Sequence, residues 1–269
     1  MSLLGNVTIG QYFPGNSVVH RLDPRTKLAL SFAFIVVLFI VQGFLSYLIF
    51  GLLVLWVTKV SGVPLRMILQ GLKPLTFIIT LTIALHFLTT RGGATLIHLW
   101  IIRVDSYGVI QGTLLAARLI LLVTATSLLT LTTSPIALTD GLERLLSPGQ
   151  RLGIPAHELA MMMTIALRFI PTLIEEADKI MRAQMARGAD FETGGFIKRA
   201  KSLLPLLVPL FVSAFRRADE LAMAMEARAY RGGLKRTRMK VLRFSSLDIW
   251  AAVLTAFSFV IVWRIGLIS

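Results

Sequence analysis

Cysteine is absent from this chain of 269 residues, and that absence excludes two kinds of site. Without thiols the protein can build neither a disulfide framework nor a metal site based on thiolates. The histidines do not compensate for this, because His20, His98 and His157 are scattered and show no i, i+4 pairing. We therefore predict no metal site in this chain.

The sequence also lacks the usual signatures of nucleotide binding and catalysis. The pattern G-x-x-x-x-G-K-S/T is missing, so the chain is not expected to hold the phosphates of ATP in the usual way, and we predict no cofactor. No Ser-His-Asp set or pair of carboxylates can be argued, because the acidic residues lie mostly on amphipathic segments where they are usually solvated. An enzyme is therefore the weaker hypothesis.

Charge of either sign is scarce, and long hydrophobic runs take its place. Charged residues make up 16% of the chain and apolar residues 55%, and the mean hydropathy is +0.76. The stretch from Leu28 to Thr58 has 31 residues without Asp, Glu, Lys or Arg. One helix needs about 20 residues to cross ~30 Å of hydrocarbon, so this stretch has room for two short spans. The composition predicts an integral membrane protein.

We predict an all-α fold with about five transmembrane helices and a polar region of long amphipathic helices. The approximate limits of the spans are residues 28–44, 45–59, 72–90, 109–133 and 247–265. The domain organisation then reads as an N-terminal membrane region with four spans, a polar cytoplasmic region and a C-terminal transmembrane helix. Their bounds are 1–134, 135–245 and 246–269.

The distribution of basic residues predicts the orientation in the membrane. The net charge is +14, and 18 of the 28 Lys and Arg residues lie between Asp140 and Phe244. Such clustering on one side of the spans is the positive-inside pattern and argues against a nucleic-acid partner. With five spans, the amino terminus is predicted to be cytoplasmic and the carboxyl terminus external, in a multi-pass protein of the cell membrane.

Local signals predict where individual elements begin and end. Asp23 followed by Pro24 is typical of a capped helix start, and residues 92–108 are predicted to form an external amphipathic loop. The polar region is predicted to hold three helices, at about 136–147, 155–188 and 196–231, with interruptions near Pro171, Pro205 and Pro209. Gly188 and the pair Gly232–Gly233 are the expected stops of the last two helices.

Two segments of the polar region repeat the same pattern, one on each of the two long predicted helices. One contains Glu175, Glu176, Ala177 and Asp178 and ends in Ala186-Arg187-Gly188; the other contains Arg216, Arg217, Ala218 and Asp219 and ends in Ala227-Arg228-Ala229. An arginine between small residues suits contact with a partner, since its planar group donates to carboxylate or carbonyl oxygens in a fixed geometry. The alternative is that both are ordinary solvated arginines near helix ends. The repetition favours the partner site.

Small and flexible side chains on the same helices suggest two further surfaces. Ala214, Ala218 and Ala222 follow an i, i+4, i+8 series that would allow a close helix crossing. Methionines cluster on both helices, and flexible thioethers suit a surface that accepts differently shaped partners, although core filling is the equal alternative. These methionines are Met161, Met162, Met163, Met181, Met185, Met223 and Met225.

The chain resembles the transmembrane coupling component (T component, EcfT/CbiQ-like) of energy-coupling factor transporters, a family of ATP-binding-cassette importers. The resemblance covers nearly the whole chain. It is carried by the segments His20-Arg-Leu-Asp-Pro-Arg-Thr-Lys27 and Leu167-Arg-Phe-Ile-Pro171 and by the two arginine tips ahead of a final span. One position departs from the family pattern, because Ala229 stands where the family commonly has glycine.

The resemblance implies a non-catalytic membrane scaffold that couples ATP hydrolysis to uptake of a vitamin or transition-metal ion. Its crossed coupling helices would place Ala186-Arg187-Gly188 in one ATP-binding-cassette ATPase and Ala227-Arg228-Ala229 in another, and would hold a small substrate-binding membrane subunit. Two alternatives remain at this point, a self-sufficient secondary transporter and an intramembrane enzyme, with His86 and Arg118 as the ionisable residues within the predicted spans.

Overall fold

The computed structural model describes residues 12–41, 43–99, 102–153, 155–189, 191, 195, 201–230, 232 and 242–266. Within these residues the chain divides into two compact units. The first, called the membrane unit here, lies within residues 10–145 and 241–269, and the second, called the arm unit, lies within residues 146–240. Gly233 and residues 196–200, which were part of the predicted helix limits, lie outside the described residues.

The described elements are α-helices apart from one hairpin and two short 3-10 turns. In the membrane unit the elements are α1 (Val18–Arg21), α2 (Pro24–Ile40), α3 (Phe44–Ser61), α4 (Leu65–Leu72), α5 (Thr76–Thr89), β1 (Thr95–Leu99), β2 (Ile102–Asp105), α6 (Ser106–Thr132), α7 (Pro135–Leu146) and α10 (Ser246–Gly266). In the arm unit they are α8 (Ala156–Ala186) and α9 (Leu204–Ala227). The 3-10 turns are Lys73–Leu75 and Ser147–Leu152.

Five helical segments of the described chain are long and apolar enough to cross a membrane, which confirms an all-α multi-pass membrane protein. Four of them, Phe44–Ser61, Leu65–Thr89, Ser106–Thr132 and Ser246–Ile265, correspond to predicted spans. The fifth is Ala156–Ala186, which the sequence had assigned to the polar region. The span predicted at 28–44 corresponds to α2. This helix has 17 residues, one fewer than the 18 residues of the shortest of the five segments.

Large apolar side chains on the outer faces of these helices remain exposed. Phe77 and Trp250 are 75% and 72% exposed, and Phe32 and Phe44 are similarly open. A water-soluble protein rarely exposes apolar patches of this extent, whereas lipid acyl chains solvate such faces. These side chains therefore mark the lipid-facing surface of the membrane unit.

The core of the membrane unit lies between α2, α3, α6 and α10. Leu38 of α2, Phe50 of α3 and Val262 of α10 are fully buried. The ring of Phe50 packs edge-on against Phe34 at a centroid distance of 5.1 Å and against Phe259 at 6.0 Å. The central phenylalanine of α3 thus joins the helix that precedes it in sequence to the last helix of the chain.

Helices α5 and α6 approach each other closely because glycine lies at their contact. A Cβ atom added at Gly108 would lie 2.7 Å from the carbonyl oxygens of both His86 and Thr90. Gly112, one turn further along α6, would meet the side chains of His86 and Phe87. In a membrane, such close backbone contact is a main source of helix association, because apolar burial against another helix gains little over burial in lipid.

The segment predicted as an amphipathic loop at residues 92–108 contains an antiparallel hairpin instead. Strands β1 and β2 pair from Thr95 opposite Asp105 to Leu99 opposite Ile102, with an irregular register between Thr95 and Ile97. Pairing satisfies backbone groups of these residues within the segment. The prediction of an amphipathic loop did not include this hairpin, because alternation over only a few residues did not reveal strand pairing.

The start of α2 is fixed by the helix signals that the sequence predicted. Asp23 caps the helix by accepting a hydrogen bond at Oδ1 from the backbone N–H of Arg25, at 2.9 Å, and Pro24 occupies the first turn. Both features confirm the predicted entry into this helix. The same segment also contributes to the polar centre of the membrane unit.

Lys27 and Asp248 tie the ends of three helices together inside the membrane unit. The Lys27 Nζ atom donates to the carbonyl oxygens of His20 and Thr132 at 3.2 and 2.9 Å and to Thr133 Oγ1 at 3.2 Å. Asp248, in the first turn of α10, accepts at Oδ1 from the backbone N–H of Asp23 at 2.8 Å. Both side chains are buried, and their contacts connect α2 with the end of α6 and the start of α10.

Replacing Lys27 with methionine is expected to destabilise the membrane unit. The change replaces the apolar stem of the side chain with one of similar size but leaves the buried Thr132 carbonyl and Thr133 hydroxyl without this donor, at a cost of about 3 kcal/mol. The measurement is the midpoint of thermal unfolding of the purified protein in one detergent. Lys59→Met, on an exposed lysine at the end of α3, is the matched control. Equal midpoints for the two variants would contradict the assigned role of Lys27.

Candidate functional site

The first arginine tip is a helix end closed by a Schellman motif. Helix α8 ends at Ala186, Arg187 is its C-cap, and Gly188 follows with a φ of +87°. The N–H of Gly188 donates to the carbonyl of Met185 at 2.9 Å, and the N–H of Ala189 donates to that of Gln184 at 3.0 Å. These are the two hydrogen bonds that define the motif. The predicted stop of this helix at Gly188 is confirmed.

The second arginine tip has the same geometry. Helix α9 ends at Ala227, with Arg228 as its C-cap. The N–H of Ala229 donates to the carbonyl of Glu226 at 2.8 Å, and the N–H of Tyr230 donates to that of Met225 at 3.0 Å. The predicted extension of this helix to Gly232–Gly233 was wrong. The helix ends before that pair, because the Schellman hydrogen bonds form around Ala229 without a glycine.

Ala229 adopts a backbone conformation that alanine rarely takes. Its φ is +54°, and it is the one residue other than glycine with a positive φ in the described part of the chain. The left-handed region brings Cβ close to the next carbonyl oxygen, which costs roughly 1–2 kcal/mol relative to the ordinary helical region. The two tips therefore share one shape, but the second holds it at a greater conformational cost.

Both arginines project from these helix ends into open space. Arg187 and Arg228 are exposed, as are the small residues on either side of them. Within the described residues no group accepts a hydrogen bond from either guanidinium. A guanidinium at a helix C-terminus is stabilised by the negative end of the helix dipole, and its planar set of donors remains available to a carboxylate of another chain.

Helices α8 and α9 contact each other through an ion pair and a hydroxyl. Arg217 of α9 donates from Nη2 to Glu176 Oε2 of α8 at 2.7 Å, and Ser213 donates from Oγ to Glu176 Oε1. Ser213 and Arg217 are one helical turn apart, so they share one face of α9. The two oxygens of one carboxylate thus bridge two successive turns of the partner helix.

The contact between the helices joins equivalent positions of the repeat. The offset in sequence between Glu176 and Arg217 equals the offset between Arg187 and Arg228. Each tip arginine therefore follows its member of the ion pair at the same distance along the chain. At ~1.5 Å per residue each arm extends about 16 Å from the ion pair to its arginine.

The predicted alanine stripe lies beside the residues that make the hydrogen bonds between α8 and α9. Ala214 is partly buried, whereas Ala218 and Ala222 are exposed. Ser213 and Arg217, each one position earlier than an alanine of the stripe, supply the side chains that reach α8. The role of Ala214, Ala218 and Ala222 in a close crossing stays a prediction.

Most of the methionines predicted to form a partner surface remain open. Met162, Met163, Met185 and Met223 are exposed. Met161, Met181 and Met225 are partly buried. The assignment of these methionines to a partner surface stays a prediction.

Sequence reasoning did not identify Glu176, Ser213 and Arg217 as a contact. A usable signal was present, since aligning the two repeats places Glu176 opposite Arg217 at the same offset as the two tips. Opposite charges at equivalent positions of a repeat suit a contact between the two copies. Single-helix periodicity cannot supply this information, because the contact joins different helices.

The ionisable residues predicted within the spans make structural contacts. Arg118 of α6 donates to Tyr47 Oη at 2.8 Å from Nε, and its guanidinium lies 5.6 Å from the ring centre of Phe39. The observed partner of Arg118 is thus Tyr47 of α3. His86 shares a hydrogen bond with Thr90 at the end of its own helix, at 3.3 Å.

Comparison with known proteins finds one family along most of the chain. The family CbiQ, described as cobalt transport protein, matches residues 15–241. A protein of Thermosediminibacter oceani named energy-coupling factor transporter transmembrane protein EcfT is 57% identical over 249 residues, covering 93% of this chain and 94% of the relative. Proteins of the same name from Heliobacterium modesticaldum and Bacillus subtilis are 53% and 48% identical, covering 97% and 91% of this chain and 99% and 93% of those relatives.

Placing glycine after Arg228 and alanine after Arg187 is expected to reverse the difference in stability between the two tips. Ala229→Gly removes the left-handed strain and should slow local opening of the second tip about fivefold, as expected for ~1 kcal/mol. Gly188→Ala should accelerate opening of the first tip by a similar factor, because no atom lies within 4 Å of the added Cβ and only the backbone angle is unfavourable. The measurement is hydrogen exchange of the amides of residues 188, 189, 229 and 230. Unchanged exchange in both variants would contradict the left-handed assignment of Ala229.

Proposed function

Because this chain belongs to the family of transmembrane proteins of energy-coupling factor transporters, we propose that it is the scaffold that transmits the movement of two ATPases to a substrate-binding membrane subunit. The observation that carries this proposal is the pair of equivalent arginine tips on α8 and α9. One repeated shape, presented twice, fits two homologous partners better than one enzyme active site or one transport pathway.

Each tip has the small size and the positive charge that suit binding in an acidic groove of a partner. Ala186, Arg187 and Gly188 would enter one ATP-binding-cassette ATPase, and Ala227, Arg228 and Ala229 would enter the other. The flanking residues carry at most a methyl group, so a partner surface can approach the backbone closely. The exposed guanidinium then reaches a carboxylate without first breaking a hydrogen bond within the described residues.

The exposed methionines of α8 and α9 provide the surface for the substrate-binding subunit. Unbranched thioether side chains adapt to irregular apolar partners, which suits a scaffold that accepts subunits of different shape. Selectivity would then belong to the bound subunit. We assign the cargo to the class of vitamins and transition-metal ions, and this assignment follows from the family, whose description names cobalt.

The proposed orientation places the arms and the amino terminus in the cytoplasm, and the chain in the cell membrane. Support comes from the basic residues, since 18 of 28 lie between Asp140 and Phe244. The chain would bind no cofactor and catalyse no reaction, with ATP bound by the partner ATPases.

Replacing both tip arginines with alanine is expected to abolish uptake by releasing the ATPases. Loss of one partner of a desolvated charge pair costs about 2–5 kcal/mol, so each substitution should weaken the association at least about thirtyfold. The measurement is the amount of ATPase that co-purifies with the tagged chain, together with ATP-dependent uptake in cells. Membrane insertion should be unchanged.

The matched control for the tips is Arg182→Ala combined with Arg216→Ala, since both are exposed arginines on the same two helices. This variant should retain ATPase association and uptake. A single cysteine at Ala183, an exposed position of α8 outside the tip, introduced into a chain that has none, should react with an impermeant maleimide in inside-out vesicles and remain unlabelled in intact cells. Normal uptake by the variant without both tip arginines would overturn the proposal, and labelling from outside the cell would overturn the orientation.

Placing a carboxylate on the methionine surface is expected to release the substrate-binding subunit and leave the ATPases bound. Met162→Glu with Met223→Glu puts unpaired charges into an apolar contact, and we expect at least about a tenfold loss of that subunit. Mass spectrometry of the purified complex measures the ratio of the two partner types. Leucine at the same positions is the control and should preserve the ratio. Equal ratios in the glutamate and leucine variants would contradict the assigned surface.

A further inference from the structure

We propose that Glu176, Ser213 and Arg217 form the pivot that fixes the two arginine arms relative to each other, and that this pivot determines how ATPase movement reaches the membrane. The three residues are positioning residues and do not themselves contact the ATPases or the cargo. This inference rests on the proposed function. It assigns the coupling step to a specific contact within the arm unit.

The pivot joins equivalent positions of the two repeats. Glu176 and Arg217 occupy equivalent positions, and so do the two tips, which follow them at the same offset in sequence. Two arms of equal length therefore extend from the pivot, and about 16 Å separates it from each arginine along its helix.

Charge divergence at this position removes a repulsion that exact repetition would create. Two identical charged residues at this contact would carry the same charge, and like charges at a close contact are destabilising. The first repeat has Glu175 and Glu176 where the second has Arg216 and Arg217, while Ala177, Asp178 and their equivalents are unchanged. The two copies thus differ in charge at the position where they touch.

The pivot also lies where both helices change from apolar to charged. Residues 204–215 of α9 carry no charge, and charged residues begin at Arg216. In α8 the charged run begins at Glu175, after a stretch from 159 to 174 in which Arg168 is the one charged residue. The side chains of Arg217 and Glu176 are 36% and 24% exposed, so the pair is screened by water only in part. A contact at this boundary separates the apolar half of each helix from its polar arm.

The angle between the arms at the pivot determines where the two tips lie. Because Glu176 accepts hydrogen bonds from two successive turns of α9, it fixes the rotation of that helix about its own axis as well as its distance from α8. A change of about 10° in the angle between the arms would move one arginine by about 3 Å relative to the other arm, at the end of a ~16 Å arm. The pivot therefore sets the separation of the two tips.

Reversing one charge at a time is expected to uncouple transport from ATP hydrolysis. Glu176→Arg or Arg217→Glu places like charges at the contact, and we expect ATP-dependent uptake to fall about fivefold, the upper end for a half-exposed ion pair. The ATPases should still co-purify and hydrolyse ATP, because both tips are intact. The exchanged double variant, Glu176→Arg with Arg217→Glu, should recover most of the uptake.

A distance measurement tests the pivot independently of transport. Cysteines at Ala183 and Ala224, which are exposed and equivalent in the repeat, can carry spin labels because the native chain has no cysteine. The distribution of distances between the two spin labels, measured in the full purified chain, should broaden in Glu176→Arg and in Arg217→Glu. It should narrow again in the variant that carries both changes. Glu175→Arg and Arg216→Glu are the matched controls, and neither should change the distribution. Where a reversal prevents insertion, Glu176→Gln removes the charge and should broaden the distribution to a smaller extent.

The two proposals fail in different ways. Absence of ATPases from the purified wild-type complex would overturn the coupling function, while the distance distributions would still decide whether the ion pair fixes the arms. Unchanged distances in both single variants, or no recovery in the exchanged variant, would overturn the pivot. Loss of ATPase association in the single variants would also overturn it, since the pivot leaves the tips themselves unchanged.

Discussion

The hydrogen bonds of the Lys27 ammonium group are the contact on which the membrane unit depends. Helix ends leave carbonyl groups without intrahelical partners, and inside a bilayer no water can satisfy them. Lys27 donates to the carbonyl of His20, near the end of α1, and to the carbonyl of Thr132, at the end of α6. Asp248 complements it by accepting the backbone N–H of Asp23, which lies far away in sequence. Buried polar groups therefore fix the positions of the ends of the first and last helices of the membrane unit. Apolar packing alone would not define these positions.

The sequence predicted the features that depend on composition and missed those that depend on contacts between elements. Uncharged runs indicated α3, α5, α6 and α10 close to their observed limits, and Asp23 with Pro24 indicated the start of α2. The hairpin at Thr95–Asp105 was missed because a short strand gains its stability from its partner strand. The end of α9 was placed too far along the chain because glycine was expected at a left-handed position that Ala229 occupies. The Glu176–Arg217 pair was missed because periodicity within one helix says nothing about the next.

The arm unit uses one structural device twice and varies only its details. Both tips end in the same pair of Schellman hydrogen bonds with an arginine at the C-cap. The copies differ in charge at their contact, where identity would be repulsive, and in the residue after the arginine, where glycine and alanine reach the same geometry at different cost. The backbone geometry of the tips is thus the same in both copies, where partners would bind. The side-chain charge differs at the positions where the two copies meet each other.

This difference between the tips has a consequence for how the partners are engaged. A cost of about 1 kcal/mol at Ala229 corresponds to a roughly fivefold larger population of the opened tip. The apparent affinity of a partner that binds only the closed tip is reduced in proportion to the closed fraction, so the loss approaches this factor only where the opened tip predominates. The tip at Arg187 is therefore better preorganised than the tip at Arg228. If each tip engages its own ATPase, the one that binds Arg228 must form the stronger contacts to reach equal occupancy, so the two grooves need not be identical even though the two tips have the same shape.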